Sequence, residues 1–164
     1  MARIYPVPFQ GTVTAAGGNT DLFSIQPAAN KPCALRGFTL GQVSLAGDAA
    51  EKDVQISVLR LPATFTVGSG GTSVTAAAPM ESSAMVTWGF TGRVNDTTVA
   101  TTSGTAQTLD TFGWNQRSTP YERWYPDEDT CPSAINGQGL IIRQDTTVAA
   151  DYTFAGVAFI EEEG

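Results

Sequence analysis

A chain of 164 residues with a formal net charge of −7, no histidine and only 15% charged residues has the length of one domain, since single cores usually span about 100–200 residues. Its apolar share of 41% is slightly low, and the gap is filled by Thr, Ser, Gly, Ala and Pro, the profile of an all-β domain with many turns and polar, uncharged faces. The acidic balance, with nine Lys and Arg scattered singly, excludes nucleic acid as a direct partner, because phosphate binding needs clustered cations.

At the amino end, Met1-Ala2-Arg3 runs into Ile4-Tyr5-Pro6 and not into an apolar stretch, so no signal peptide is read and synthesis in a cytoplasm is expected. No apolar run approaches the roughly 20 residues that span a bilayer, so no membrane partner is expected. Residues 1–11 read as an edge strand or an extended arm, because Pro6 and Pro8 cannot donate to a central ladder. As an arm, Ile4, Tyr5, Val7 and Phe9 would lie along another chain's sheet edge, where main-chain hydrogen bonds give affinity. As an edge strand they would stay on their own subunit.

"TDLFSIQPA" follows as a strand stopped at Pro27. "CALRGFTLGQV" sets Leu35, Gly37 and Thr39 against Arg36, Phe38 and Leu40. "DVQISVLRLP" has the cleanest period of two, with Val54, Ile56 and Val58 on one side and Gln55 and Ser57 on the other. Leu59 and Leu61 then join the polar side. From Ala63 to Gly104 the pattern weakens into the glycine-rich "TVGSGGTSVT" and the threonine-rich "VNDTTVATTSG". "AAPMESSAM" is long enough for one helical turn and no more. Order returns with "TAQTLDTFGWN", "GQGLIIRQDT" and "DYTFAGVAFIEEE", whose Tyr152, Phe154, Gly156, Ala158 and Ile160 share one face. Short strands divided by Gly, Pro, Asn and Asp turns predict one antiparallel β-sandwich or jelly roll over residues 1–164, with long loops.

Chemistry concentrates in "STPYERWYPDED", residues 118–129. Without histidine there is no Ser-His-Asp or Cys-His nucleophile and no imidazole ligand. Glu122 with Asp127, Glu128 and Asp129 offers the residue type of a glycosidase's carboxylate pair, but three consecutive acids after a proline read as a solvated loop. Asp129 runs into Thr130-Cys131-Pro132, which breaks the alternation of a calcium loop. "GSGG" at 68–71 lacks the Lys-Ser/Thr of a phosphate cradle. No catalytic residue, cofactor or metal is therefore expected. Cys33 and Cys131, without C-x-x-C spacing, read as free buried thiols. Trp114, Tyr121, Trp124 and Tyr125, with Arg123 beside them, fit three roles: a plug for the sandwich core, a protein interface, or a platform for sugars.

The pieces taken together resemble a family of tailed-bacteriophage capsid decoration, or cement, proteins. They are the opening "ARIYPVPF", "LRGFTLGQVSLAGDAAEKDVQISVLRLP", "GSGGTSVT", "FGWNQRSTPYERWYPDED", "GQGLIIRQDT" and the closing "TFAGVAFIEE". The resemblance implies a jelly-roll-like structural protein on the outside of a virion, made in the host cytoplasm. It implies a homotrimer bound to a major capsid protein, with no enzymatic activity. Ile4, Tyr5, Val7, Phe9, Trp114, Tyr121, Arg123, Trp124 and Tyr125 are the expected contacts. A carbohydrate-binding or fibre-associated module that touches a host surface is the alternative.

Overall fold

A computed structural model describes residues 3–15, 17–44, 53–74, 77–81, 88–118 and 120–163. Its strands are β1 (Arg3–Val13), β2 (Thr20–Pro27), β3 (Cys33–Gln42), β4 (Asp53–Leu61), β5 (Phe65–Thr66), β6 (Thr72–Ser73), β7 (Phe90–Asp96), β8 (Thr101–Thr102), β9 (Gln107–Asn115), β10 (Tyr121–Trp124), β11 (Ser133–Ala134), β12 (Gly139–Gln144) and β13 (Tyr152–Glu162). A 3-10 turn at Glu128–Thr130 is the helical element among the described residues. No helix forms over residues 77–81 of "AAPMESSAM"; residues 82–85 of it lie outside the described residues.

The pairing is nested. β1 pairs with β13, β2 with β12, β3 with β10 and β11, and β4 with β9, all antiparallel. Successive pairs alternate between two sheets, ordered β1-β13-β3-β10 and β6-β7-β2-β12-β4-β9. A long antiparallel ribbon rolled in this way is a jelly roll, as the strand pattern predicts. The segment between β4 and β9 is an insertion: β7 extends the second sheet beyond β2, and β5 pairs with β8 as a separate two-stranded flap.

Period-two alternation places Tyr5, Val7, Phe9, Phe154, Ala158 and Ile160 from the first sheet against Phe23, Ile25, Val54, Ile56, Val58 and Ile142 from the second. Burying each large side chain contributes about 1.5–3 kcal/mol. Two local irregularities decide which residues join this core. β13 partners Leu35 at Ile160 and Gly37 at Phe159, so Arg36 is an extra, bulged residue. Leu35, Phe38 and Leu40 consequently all turn inward, which corrects the simple alternation expected for β3. On β4 the register shifts after Val58. Leu59 and Leu61 there enter a second apolar cluster with Ile141, Phe65 and Ala100. This cluster lies under the flap, on the outer side of the second sheet. The buried Asp21 pins the flap: it accepts the Ala100 N–H at 2.6 Å and Arg143 Nε at 2.6 Å, while Arg143 Nη2 donates to the Ala100 carbonyl at 3.0 Å. The glycine-rich loop packs against β7, with Gly71 N–H donating to Asp96 at 3.0 Å and Gly70 at φ +91°.

β1 is an edge strand, not a free arm. It pairs with β13 along its whole length, from Arg3 opposite Glu162 to Val13 opposite Tyr152. Tyr5 and Val7 are 0% exposed and Phe9 is 2% exposed, so these three expected contacts belong to the protein's own core. Ile4 alone of the four is part-exposed. Its carbonyl points away from β13 and accepts the Met80 N–H at 2.9 Å. Pro6 and Pro8 share that outward alternation, where a missing N–H costs the ladder nothing.

Cys33 and Cys131 are free and buried. Burial, reinforced by Glu162 and Glu163, pushes the Cys33 thiol up to about 12. Burial likewise raises the Tyr125 and Tyr152 hydroxyls. All three hold their protons more tightly folded than unfolded, so their contribution to stability is full below the unfolded values and is lost as pH rises through the folded ones. The melting temperature is therefore expected to fall progressively between pH 9 and about 12, less steeply in Cys33→Ala. A flat alkaline profile would contradict this. Deleting residues 2–10 removes most of β1, including the buried Tyr5, Val7 and Phe9, and is expected to abolish the cooperative melt followed by circular dichroism. A transition like that of the full chain would return these residues to the role of an arm.

Candidate interaction surface

The dense stretch forms the last strand of the first sheet. Tyr121–Trp124 lie opposite Leu40–Gly37, and the Tyr125 N–H donates to the Arg36 carbonyl at 2.9 Å. In an antiparallel ladder this makes 121, 123 and 125 the positions bonded to β3 and turns the main-chain groups of 122 and 124 outward. Pro120 and Pro126 occupy the next outward positions on either side, where neither has an N–H to offer. The edge is thus limited to two residues, a recognised protection against strand addition. With Pro6 and Pro8 on β1, both edges of the first sheet are blunted by proline.

Inward from that edge, β10 is tied to β9 of the other sheet. Arg123 Nε donates to Asp110 Oδ2 at 2.7 Å and the Tyr125 hydroxyl donates to the same oxygen at 2.8 Å; the Thr111 N–H donates to Asp110 Oδ1 at 2.9 Å. Arg123 lies 5.5 Å over the Tyr125 ring. Tyr121 stacks on Phe112 with ring centres 3.9 Å apart and planes 9° apart, and both adjoin Phe38. Tyr121, Arg123 and Tyr125 therefore close the open side of the protein's own sandwich. Trp114 is 2% exposed and packs against Tyr152 at 6.0 Å, so it too is core. Trp124 does not join Trp114 and Tyr121, because alternation along β10 sends it to the opposite face from Tyr121.

Trp124 is 51% exposed and lies on the outer face of the first sheet. A Cβ on Gly37 would stand 2.5 Å from its ring, so only glycine gives the indole its floor. Phe159 flanks it at 4.8 Å. The register lays out the rest of this face. Pro6, Phe159, Gly37 and Trp124 form one row, and Pro8, Val157, Thr39 and Glu122 the next. Gln10, Ala155 and Gly41 form a third, closed by Pro120, 3.6 Å from where a Gly41 Cβ would stand. Glu122 is the one charge in these three rows. Acids stand at the border: Asp127, Glu128 and Asp129 are exposed on the turn that follows Trp124, and Glu163 is exposed after β13. Arg36 and Lys31 are engaged by Glu161 at 3.1 Å and Glu162 at 2.9 Å.

Sequence reasoning passed over Val157 and Phe159. Their signal is that β13 is apolar on both faces, although no element among the described residues packs over the second one. Among the described residues no group of three His, Cys, Asp or Glu side chains comes together as a metal site would require.

No known protein family and no curated protein matches the chain. Solved structures that it is similar to include T=1 particles derived from infectious bursal disease virus, at TM-score 0.25 and 17% identity over 98% of this chain and 40% of that one. The virus's Gx strain (TM-score 0.21, 15% identity, 98% and 42% covered) and its VP2 subviral particle (0.22, 15%, 98% and 41%) also match. The chain spans about two-fifths of the length of these viral proteins. Likeness at this level carries no functional weight.

Removing the Asp110 carboxylate by Asp110→Ala strands the Tyr125 hydroxyl and is expected to cost about 1–3 kcal/mol in urea unfolding. The double change Asp127→Ala and Asp129→Ala alters only solvated side chains and is expected to stay within about 0.5 kcal/mol of the parent. Equal effects would contradict this division of roles.

Proposed function

We propose that the chain is a structural virion protein of a tailed phage, a decoration protein that stabilises the head by docking on the outer capsid surface, without enzymatic activity. The observation that carries the reading is the outer face of the first sheet: its three rows hold one charge, Glu122, in a protein of net charge −7, and Trp124 stands half-exposed at its β10 edge beside Phe159. A sheet face this poor in charge with an exposed tryptophan suits a protein–protein contact. The resemblance of the sequence to decoration proteins names the partner, a major capsid protein, and the expected homotrimer.

Physics supports the assignment. Packaged DNA presses outward on a thin shell, and each docked copy adds binding free energy that rupture must overcome. Many copies acting at high effective concentration make modest individual affinity sufficient. The acidic border predicts that the capsid site is an apolar patch edged by Lys and Arg, whose encounter with this protein slows as salt is raised.

Cosedimentation with capsids stripped of the protein tests the reading. The parent chain is expected to pellet with them. Trp124→Ala is expected to weaken binding by about 2 kcal/mol, roughly thirty-fold, and Val157→Asp to abolish it, both with normal melting. The Asp127→Ala, Asp129→Ala double variant should still bind. Failure of the parent to bind would end the capsid assignment; full binding by Val157→Asp would move the contact to another surface. Sedimentation equilibrium at micromolar concentration should give the trimer mass, and a monomer would remove the trimer from the proposal.

A further inference from the structure

We propose that the cleft between the β5–β8 flap and the outer face of the second sheet binds a neutral oligosaccharide. The cleft holds about 310 Å³, within the range of small-ligand sites, and its chemistry follows from the strand alternation. Phe23 and Ile25 of β2 face the core, so Ser24 and Gln26 face the cleft. β7 sets Arg93 beside Ser24 and Thr91 beside Gln26. The floor is thereby hydroxyl, amide, hydroxyl and one guanidinium.

Two features mark the floor as built for a ligand. Ser24 and Gln26 line the cleft, and neither side chain is engaged by another side chain among the described residues, so both polar groups are open to its contents. Polar groups held this way are satisfied by water in the empty cleft and by a ligand hydroxyl in the filled one. The walls are aromatic and aliphatic: Phe65 from the flap, Val74 beside β6, and Trp88, whose ring is fixed at 4.1 Å from Phe90. An indole ring in the wall beside uncharged donors and acceptors suits a pyranose ring, with one C–H-rich and one hydroxylated side.

Charge narrows the class. Arg93 is the single charged residue of the lining, and its guanidinium is already taken by Asp96 at 2.7 and 2.9 Å and by the Gly71 carbonyl at 3.2 Å. Among the described lining residues no free cation remains for a phosphate or an acidic sugar. Length follows from the neighbouring hollows. Gln26 and Phe65 also line a hollow toward Asn136, and Gln26, Trp88 and Thr91 line one toward Ala28. A groove extended on both sides of Gln26 suits several linked sugar units better than one.

The cleft lies on the second sheet and the apolar face on the first, so the two surfaces point in opposite directions and the saccharide site stands or fails independently of capsid docking. The test is protein-observed NMR with a panel of neutral hexose and N-acetylhexosamine oligosaccharides at millimolar concentration. At least one sugar is expected to shift the amides of Ser24, Gln26 and Thr91 saturably. Gln26→Ala should weaken that binding roughly tenfold or more with an unchanged melt, and Trp124→Ala should leave it intact. No shift at these amides across the panel would overturn the proposal. So would shifts confined to the Trp124 face, or undiminished affinity in a folded Ser24→Ala, Gln26→Ala double variant.

Discussion

Eleven residue pairs join β1 to β13, and the rest of the molecule depends on that ladder. It closes the roll by setting the first strand beside the last, and its alternation sends Tyr5, Val7 and Phe9 inward with Phe154, Ala158 and Ile160. The same alternation sends Pro6, Pro8, Val157 and Phe159 outward. One register thus builds the core and the exposed face together. A shift by one residue would exchange the two sets, placing prolines in the core and aromatics in water. The bulge at Arg36 then corrects the neighbouring strand so that Leu35 and Phe38 both reach the core, while Gly37 is left to carry Trp124.

Sheets associate through edges or through faces, and here proline decides between them. On β1 Pro6 and Pro8 take outward main-chain positions, and Pro120 and Pro126 flank β10 so that only Glu122 and Trp124 offer outward donors there, which limits strand addition. On β9 the Asp110 carboxylate occupies the Thr111 N–H next to the register shift opposite Val58 and Leu59. Edges so protected leave the broad face of the first sheet as the surface suited to a partner. For the docking proposed above, its acidic border favours a basic-edged partner over a second copy laid on the same face, which would bring like charges together.

Much of the fold was legible in the sequence, and the reasons are local. Val54, Ile56 and Val58, and Tyr152 through Ile160, carry a period that only a half-buried strand explains. Even the switch of Leu59 and Leu61 to the polar side had meaning, since it marks the second cluster under the flap. The insertion between Ala63 and Gly104 was legible only as a loss of pattern. Its short strands and its Asp21–Arg143–Ala100 anchor are contacts between residues far apart in sequence. The candidate contacts divided along the same line. Composition singled out the aromatics of residues 114–125, but inward or outward direction depends on register, which residue type does not reveal. Trp114, Tyr5, Val7 and Phe9 went to the core, Tyr121, Arg123 and Tyr125 to the seam between sheets, and Trp124 to the surface.

The central claim is that the outer face of the first sheet, and not an edge or the aromatic seam, carries the protein to its partner. A cryo-EM map of the decorated particle tests this most directly. The account predicts Trp124, Val157 and Phe159 packed against a capsid subunit, with Lys or Arg of that subunit beside Asp127 to Asp129, and the flap of the second sheet turned to solvent. A map with the second sheet against the shell and Trp124 in water would contradict it.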